Sequence, residues 1–136
     1  MSFWFFPEWG VFMVEKRNKQ SNVSPDFHNR EKLLNQELSR YIYLLTKHGA
    51  PEKVILFGTL AEGRIHEWSD IDLVVIERTT LPFYQRLRKI RKLLQPVVGM
   101  DILIYTPEEF DQLCTERPFF REEIIAKGKV IYEHSK

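Results

Sequence analysis

The spacing of apolar residues predicts a long helix near the start of the chain. Five of them recur at helical spacing: Leu33, Leu34, Leu38, Ile42 and Leu45. Ser24 and Pro25 precede this run as an N-cap and a first-turn proline, and Gly49 follows it as a stop signal. Lys47 and His48 lie where positive charge suits the end of the helix dipole. The pattern therefore predicts a helix that begins at Pro25 and ends before Gly49.

Short continuous apolar runs predict four β-strands in the rest of the chain, at residues 54–57 (VILF), 71–76 (IDLVVI), 100–105 (MDILIY) and 129–132 (KVIY). Helical patterns lie between them: a single turn at 59–63, an amphipathic helix at 81–94, a helix that starts at Thr106-Pro107, and a further helix at 118–127. The order of these elements predicts an α/β (α+β) fold, with a short mixed β-sheet covered by helices.

Composition narrows the class of protein without naming a function. A chain of 136 residues with 43% hydrophobic and 29% charged residues is typical of a globular domain. The net charge of +1 gives no general indication of a nucleic-acid or membrane partner. A direct contact with nucleic acid stays open, because the basic run at 86–92 (RLRKIRK) is either a solvated helix face or a surface that attracts RNA. Since the single cysteine, Cys114, cannot form an internal disulfide, a reducing, cytoplasmic location is expected.

The first residues differ in character from the rest. Residues 1–12 (MSFWFFPEWGVF) are rich in aromatic side chains, and residues 15–25 are polar. We interpret residues 1–23 as a flexible N-terminal extension and residues 24–136 as a single domain. Two alternatives stay open: translation that starts at Met13, or an arm that packs on a partner.

Two acids stand at the start of the second predicted strand. Side chains two residues apart in a strand share a face, so Asp70 and Asp72 are expected to point the same way, with Cα atoms roughly 6.5–7 Å apart. Asp101 opens the third strand in the same manner. If these strands are neighbours, the three carboxylates converge and require a cation, a raised pKa or full solvation. Such oxygen ligands suit Mg²⁺ or Mn²⁺ and phosphoryl chemistry. The plainer interpretation, a turn residue and a strand cap, is weakened because each acid leads an apolar strand.

A glycine turn lies ahead of these acids. Gly58 and Thr59 follow a buried strand and open a predicted helical turn, where free N–H groups and a hydroxyl suit phosphate oxygens. The stretch GTLAEGRI nearly matches a P-loop, but Arg64 replaces its lysine and Ile65 replaces its metal-binding hydroxyl. A P-loop is therefore rejected, and a phosphate turn of another kind is expected.

The combination resembles the nucleotidyltransferase superfamily related to DNA polymerase beta, above all its minimal, MNT-type members. The shared features are an apolar strand followed by Gly and a hydroxyl residue (VILFGT), a spacer, the motif DID, and a third acid in MDILIY. Two downstream stretches, TPEEF and GKVIYE, also resemble this group. The resemblance covers roughly residues 51–133.

The resemblance implies a Mg²⁺- or Mn²⁺-dependent transfer of a nucleoside monophosphate, with AMP from ATP as the first candidate, to a hydroxyl acceptor. The implied metal ligands and catalytic residues are Asp70, Asp72 and Asp101. The implied nucleotide-binding residues are Gly58, Thr59, Arg64 and Ser69. Asp101 would also take the proton from the attacking hydroxyl.

This chain departs from the group in the phosphate turn. MNT-type proteins often carry arginines there, whereas this chain has Leu60 and Glu62. The change should weaken nucleotide binding more than metal binding, and Arg64 is expected to compensate from two residues further on.

A protein partner is the other implication. MNT-type proteins are often antitoxins paired with a HEPN-domain RNase, so a HEPN partner serves as a candidate acceptor and a homo- or hetero-oligomer is expected. Two alternatives stay open, a non-catalytic antitoxin or interaction module and a degenerate nucleotide-binding domain.

Overall fold

The fold is a four-stranded mixed sheet with helices packed on both of its faces. The computed structural model describes residues 25–134, so the predicted extension at 1–23 and the cap at Ser24 lie outside the described residues. The elements are α1 (Pro25–His48), β1 (Lys53–Phe57), α2 (Gly58–Glu62), β2 (Ile71–Ile76), α3 (Phe83–Leu94), β3 (Met100–Tyr105), α4 (Pro107–Glu116), a π-helical segment (Phe120–Ala126) and β4 (Lys129–Glu133). The predicted element order and mixed sheet are confirmed.

The strands lie in the order β3-β2-β1-β4. Strand β1 pairs antiparallel with both β2 and β4, whereas β2 and β3 are parallel and joined through α3. The parallel pair β2 and β3 needs the crossover through α3, whereas β1 and β2 run antiparallel and are joined through α2 and the loop after it.

The core has two parts, one on each face of the sheet. On the first face, four of the five predicted apolar residues of α1 are buried, with Leu34, Leu38 and Ile42 at 0% exposure, and Leu33 is partly buried. On the second face, Val74 of β2 packs with Phe110 of α4 and with the π-helical segment. Strand β2 is thus covered on both sides, which is why its sequence is a continuous apolar run after its acids.

Several element boundaries differ from the predictions by a few residues. Helix α3 begins at Phe83 instead of residue 81, because Pro82 is extended and acts as the N-cap. The helix predicted at 118–127 is a π-helical segment that starts at Phe120. The predicted start of α4 is confirmed: Thr106 and Glu109 form a capping box, in which each side chain accepts a hydrogen bond from the backbone N–H of the other. No helix among residues 25–134 is long and apolar enough to span a bilayer.

Arg86 fastens α3 to the edge strand β3. Its side chain is 8% exposed and forms a two-pronged ion pair with Glu109, at 2.6 and 3.1 Å. It also donates to the carbonyl oxygens of Leu81, at 2.8 Å, and Ile104, at 3.1 Å. The guanidinium beside Glu109 lowers the pKa of that carboxyl group. The buried Arg86 side chain thus donates hydrogen bonds to the loop before α3, to β3 and to α4.

Arg86→Met is expected to lower the free energy of unfolding by about 3 kcal/mol, because it leaves buried carbonyl oxygens without a donor and breaks a charge pair. Arg88→Met, an exposed change two residues away on the same helix, is expected to cost no more than about 0.5 kcal/mol. Urea denaturation of both variants measures the difference. Equal midpoints would show that Arg86 does not stabilise this junction.

Candidate active site

Three chain segments meet at one end of the sheet. They are the end of β1, the start of β2 and the start of β3, which lie together because β1 runs antiparallel to β2 and β2 runs parallel to β3. In the strand register, Phe57 is opposite Asp72, and Asp72 is opposite Asp101. The end of β1 leads directly into Gly58 and α2. The predicted phosphate turn and two of the predicted acids therefore share one corner of the molecule.

Asp72 and Asp101 are next to each other on neighbouring parallel strands. The pKa of Asp72 is raised to about 7, mainly by burial and also by the charge of Asp101, a hydrogen bond to Asp101 and the charge of Asp70. A carboxyl group in this setting is readily protonated near neutral pH unless a cation balances the negative charges.

Asp70 is placed differently from the expectation. Strand β2 begins at Ile71, so Asp70 lies just outside the pleated segment and the alternation of the strand does not set the direction of its side chain. It is 45% exposed, and its Oδ1 atom forms an ion pair with Arg30 Nη2 at 3.2 Å. Across residues 25–134, no three His, Cys, Asp or Glu side chains form a group that could hold a metal ion. The strand register thus brings Asp72 and Asp101 together, while Asp70 lies near enough for its charge to act on Asp72 and has Arg30 as its ion-pair partner.

Two glycines leave room for these carboxylates. Gly58 has φ of +77°, and a Cβ atom there would collide with the Asp72 carboxylate. A Cβ atom at Gly99 would collide with the carboxylate of Asp70. Both acids therefore pack directly against glycine backbone, where a side chain would collide with them. Gly58 is also required because its positive φ is unfavourable for other residues.

Thr59 and Ser69 join the turn to the acidic loop. Thr59 Oγ1 donates to Ser69 Oγ at 3.0 Å, and that same oxygen accepts from the backbone N–H of His66 at 2.9 Å. Ser69 is 2% exposed. Ser69 therefore fixes the loop that carries Asp70, and a direct contact of its hydroxyl with nucleotide stays a prediction.

Arg64 forms an ion pair with Glu62, two residues before it in the chain. Its Nε and Nη2 atoms contact Glu62 Oε1 at 3.2 and 2.9 Å, and its side chain is 66% exposed. The two charges cancel within the turn, so Arg64 in this position does not replace the missing cations. Leu60 is 1% exposed because it packs in the core, which explains why an arginine is not accommodated there.

Sequence reasoning missed three residues near the acids. Arg30 lies on α1, forty residues before Asp70, and contacts it. No motif in the sequence around Arg30 predicts this contact. A cavity of about 450 Å³ contains Asp72 and Asp101 together with Phe57 and Arg91. The basic run at 86–92 contains Arg91, but the sequence does not say which of its arginines lies at the acids. The packing of α3 decides this: Arg91 lines the cavity, whereas Arg86 is buried and Arg88 is exposed elsewhere.

A larger cavity, of about 720 Å³, lies elsewhere on the molecule. It is lined mainly by α4 and the π-helical segment, including Phe110, Cys114 and Ile125, and by none of the predicted site residues. Burial raises the pKa of Cys114, which argues against a reactive thiolate there. The smaller cavity at the acids is therefore the candidate active site.

Comparisons with known proteins agree with this geometry. A crystal structure provisionally described as a nucleotidyltransferase from Sulfolobus solfataricus has a TM-score of 0.61 and 12% identity, and the match covers 86% of this chain and 96% of that chain. At that identity, the likeness shows the fold alone. A solved toxin–antitoxin with AMP-PNP is 21% identical over 71% of this chain and 73% of that chain, but its TM-score of 0.43 is too low to establish a common fold.

No curated protein is significantly similar to the chain. The model of the family described as polymerase beta, nucleotidyltransferase, matches residues 40–136, which is most of the chain and includes every predicted site residue. The chain therefore belongs to the polymerase beta nucleotidyltransferase family.

Proposed function

We propose that this protein transfers a nucleoside monophosphate, AMP from ATP as the first candidate, to a hydroxyl group of an acceptor with the help of Mg²⁺ or Mn²⁺. The observation that carries the proposal is the pairing of Asp72 with Asp101 across two parallel strands, beside the Gly58 turn. Family membership supports a transferase that uses a nucleoside triphosphate and a divalent metal. The base of the nucleotide and the acceptor are parts of the proposal that the fold does not specify.

The residues at this corner fit a divalent cation. Their donors are carboxylate oxygens, which Mg²⁺ and Mn²⁺ prefer, and the raised pKa of Asp72 reflects its burial together with the negative charges of Asp101 and Asp70. Asp72 and Asp101 would hold the metal, and Asp70 would join them once its contact with Arg30 opens. A bound metal would polarise the phosphoryl oxygens and offset the charge that develops during transfer.

The protein's own groups would orient the reactants. Backbone N–H groups at Gly58 and the Thr59 hydroxyl would contact the triphosphate. Asp101 would accept the proton of the acceptor hydroxyl as its oxygen forms a bond to the α-phosphorus, while the bond from that phosphorus to the bridging oxygen breaks and pyrophosphate leaves. Asp101 is the exposed member of the pair, so it suits contact with an acceptor that enters from solvent.

The test is transfer of label from α-labelled nucleoside triphosphates in the presence of Mg²⁺ or Mn²⁺. Asp101→Asn is expected to lower the rate by about a hundredfold or more, because both the proton acceptor and a metal ligand are lost. Asp111→Asn, an exposed acid on α4, is the matched control and should leave the rate unchanged. Equal transfer by both variants would contradict the role given to Asp101.

The acceptor is proposed to be a partner protein. This part of the proposal rests on the resemblance to MNT-type proteins, whose partners are often HEPN-domain RNases. Co-expression with the product of the neighbouring gene tests it, by mass change on that product and by co-purification. A stable complex without modification would favour the interaction-module alternative, and ATP binding without any transfer would favour a degenerate nucleotide-binding domain.

A further inference from the structure

Arg30 is held in place beside the acids by the backbone of the loop before β2. Its Nε and Nη2 atoms donate to the Ser69 carbonyl oxygen at 3.0 and 2.8 Å. Its Nη2 atom also contacts Asp70 Oδ1 at 3.2 Å. The Arg30 side chain is 23% exposed, so the charge is partly shielded from water. The loop backbone therefore holds the guanidinium next to Asp70, in addition to the ion pair itself.

The phosphate turn has no uncompensated cation of its own. Leu60 is buried and Glu62 is paired with Arg64, so the turn adds no net positive charge. Ser69 joins this turn to Arg30, because its hydroxyl accepts from Thr59 while its carbonyl oxygen accepts from Arg30. A single residue thus separates the guanidinium from the hydroxyl that is expected to contact phosphate.

We propose that Arg30 serves two anions in turn: it neutralises Asp70 in the protein without ligands, and it contacts the triphosphate when nucleotide and a divalent cation are bound. The inference rests on the proposed function. In it, Arg30 of helix α1 provides the positive charge for phosphate that the turn itself does not have. The geometry of a planar guanidinium suits both carboxylate and phosphate oxygens, so the same side chain can bind either anion. Arg30 lies outside residues 40–136, so family membership does not imply this role.

If this exchange occurs, removing the charge of Arg30 should change the affinities for metal and for nucleotide in opposite directions. While Arg30 is paired with Asp70, it opposes a divalent cation at the same carboxylate, so removal of its charge should strengthen metal binding. Once nucleotide is bound, the same removal takes away a charge-assisted hydrogen bond to phosphate and should weaken nucleotide binding. A side chain that only supports the fold would weaken both.

Isothermal titration calorimetry on the full chain tests this with Arg30→Gln, which keeps an amide donor for Ser69 but removes the charge. Without nucleotide, Mn²⁺ is expected to bind about fivefold more tightly to this variant than to the wild type, whereas ATP at saturating Mg²⁺ is expected to bind about tenfold more weakly. Arg30→Lys should show an intermediate ATP affinity. Lys32→Gln removes the same charge from an exposed position on the same helix and should change neither affinity by more than about twofold.

The outcomes separate this inference from the proposed function. If the wild type binds ATP and Mn²⁺ but Arg30→Gln binds Mn²⁺ no more tightly, or ATP no more weakly, the exchange is wrong and the proposed function stands. If the wild type binds neither, both are wrong. Should Arg30→Gln fail to fold by circular dichroism, Arg30→Lys decides the matter, because an ATP affinity equal to that of the wild type would overturn the exchange.

Discussion

Replacing Asp72 with asparagine is expected to stop nucleotide transfer and, in the metal-free protein, to make the fold more stable. The amide removes one of the negative charges that crowd this corner but keeps the shape of the side chain. In the transfer reaction it should cost about a thousandfold in rate, because the loss of a metal ligand removes several kcal/mol of transition-state stabilisation.

The stability effect has a defined pH dependence. In the metal-free fold the pKa of Asp72 is about 7, above its ordinary value of 3.8. Between these two values the folded state holds a proton that the unfolded chain has released, so the stability of the wild type falls as the pH rises. The difference between Asp72→Asn and the wild type should therefore be small near pH 4 and largest at pH 7 and above. Since Asp72 is partly exposed, we expect about 2 kcal/mol there, or roughly 6 °C in melting temperature.

Thermal denaturation in EDTA, measured from pH 4 to pH 8, checks this result. Asp111→Asn makes the same chemical change at an exposed site and should follow the wild type at every pH. A melting temperature of Asp72→Asn below that of the wild type at pH 7.5 would contradict the repulsion on which the site is argued.

Replacing Gly58 with alanine is expected to cost about 3 kcal/mol or more of folding stability, for two reasons that can be separated. The residue has φ of +77°, a region that costs an alanine about 1 kcal/mol or more. In addition, the new methyl group would collide with the Asp72 carboxylate. If that carboxylate moved away, it would lose its hydrogen bond with Asp101.

Gly63→Ala is a matched control for the first of these costs. Gly63 has φ of +74°, but a Cβ atom there meets nothing within 4 Å. It should therefore lose only about 1 kcal/mol in urea denaturation. The collision is tested by the double variant Gly58→Ala with Asp72→Ala, which should recover part of the loss. If Gly58→Ala and Gly63→Ala lose equal stability, the close packing of Gly58 against Asp72 is not real.

The helices and strands were largely predictable because their signals are local. The capping box of Thr106 and Glu109, the proline at the start of α1 and the continuous apolar runs each depend on neighbours within a few residues. The π-helical segment was predicted as an ordinary helix, since nothing local in its sequence distinguishes the two. The segment ends at Ala126, and the glycine at 128 is required by packing, because a Cβ atom there would collide with the carbonyl oxygen of Ile124 and with the side chain of Ile55 in β1.

The positions of two of the three predicted acids follow from their strands. Asp72 and Asp101 meet as expected because each lies inside a strand, where the pleat sets its direction and the register sets its neighbour. Asp70 lies one residue before its strand, so the rule for alternating side chains does not reach it. Its direction is set by Arg30, a contact between residues forty positions apart.

The sequence by itself determined the order of the elements, the two acids that lead their strands, and the glycine turn before them. These follow from spacing, propensity and the chemistry of single residues, all of which can be read over short stretches of chain. Only the tertiary structure decided which charges balance one another: Arg30 with Asp70, Arg64 with Glu62, and Arg86 with Glu109. The physical reason is that an ion pair depends on a few ångströms between side-chain atoms, and that distance is set by packing and not by position in the chain.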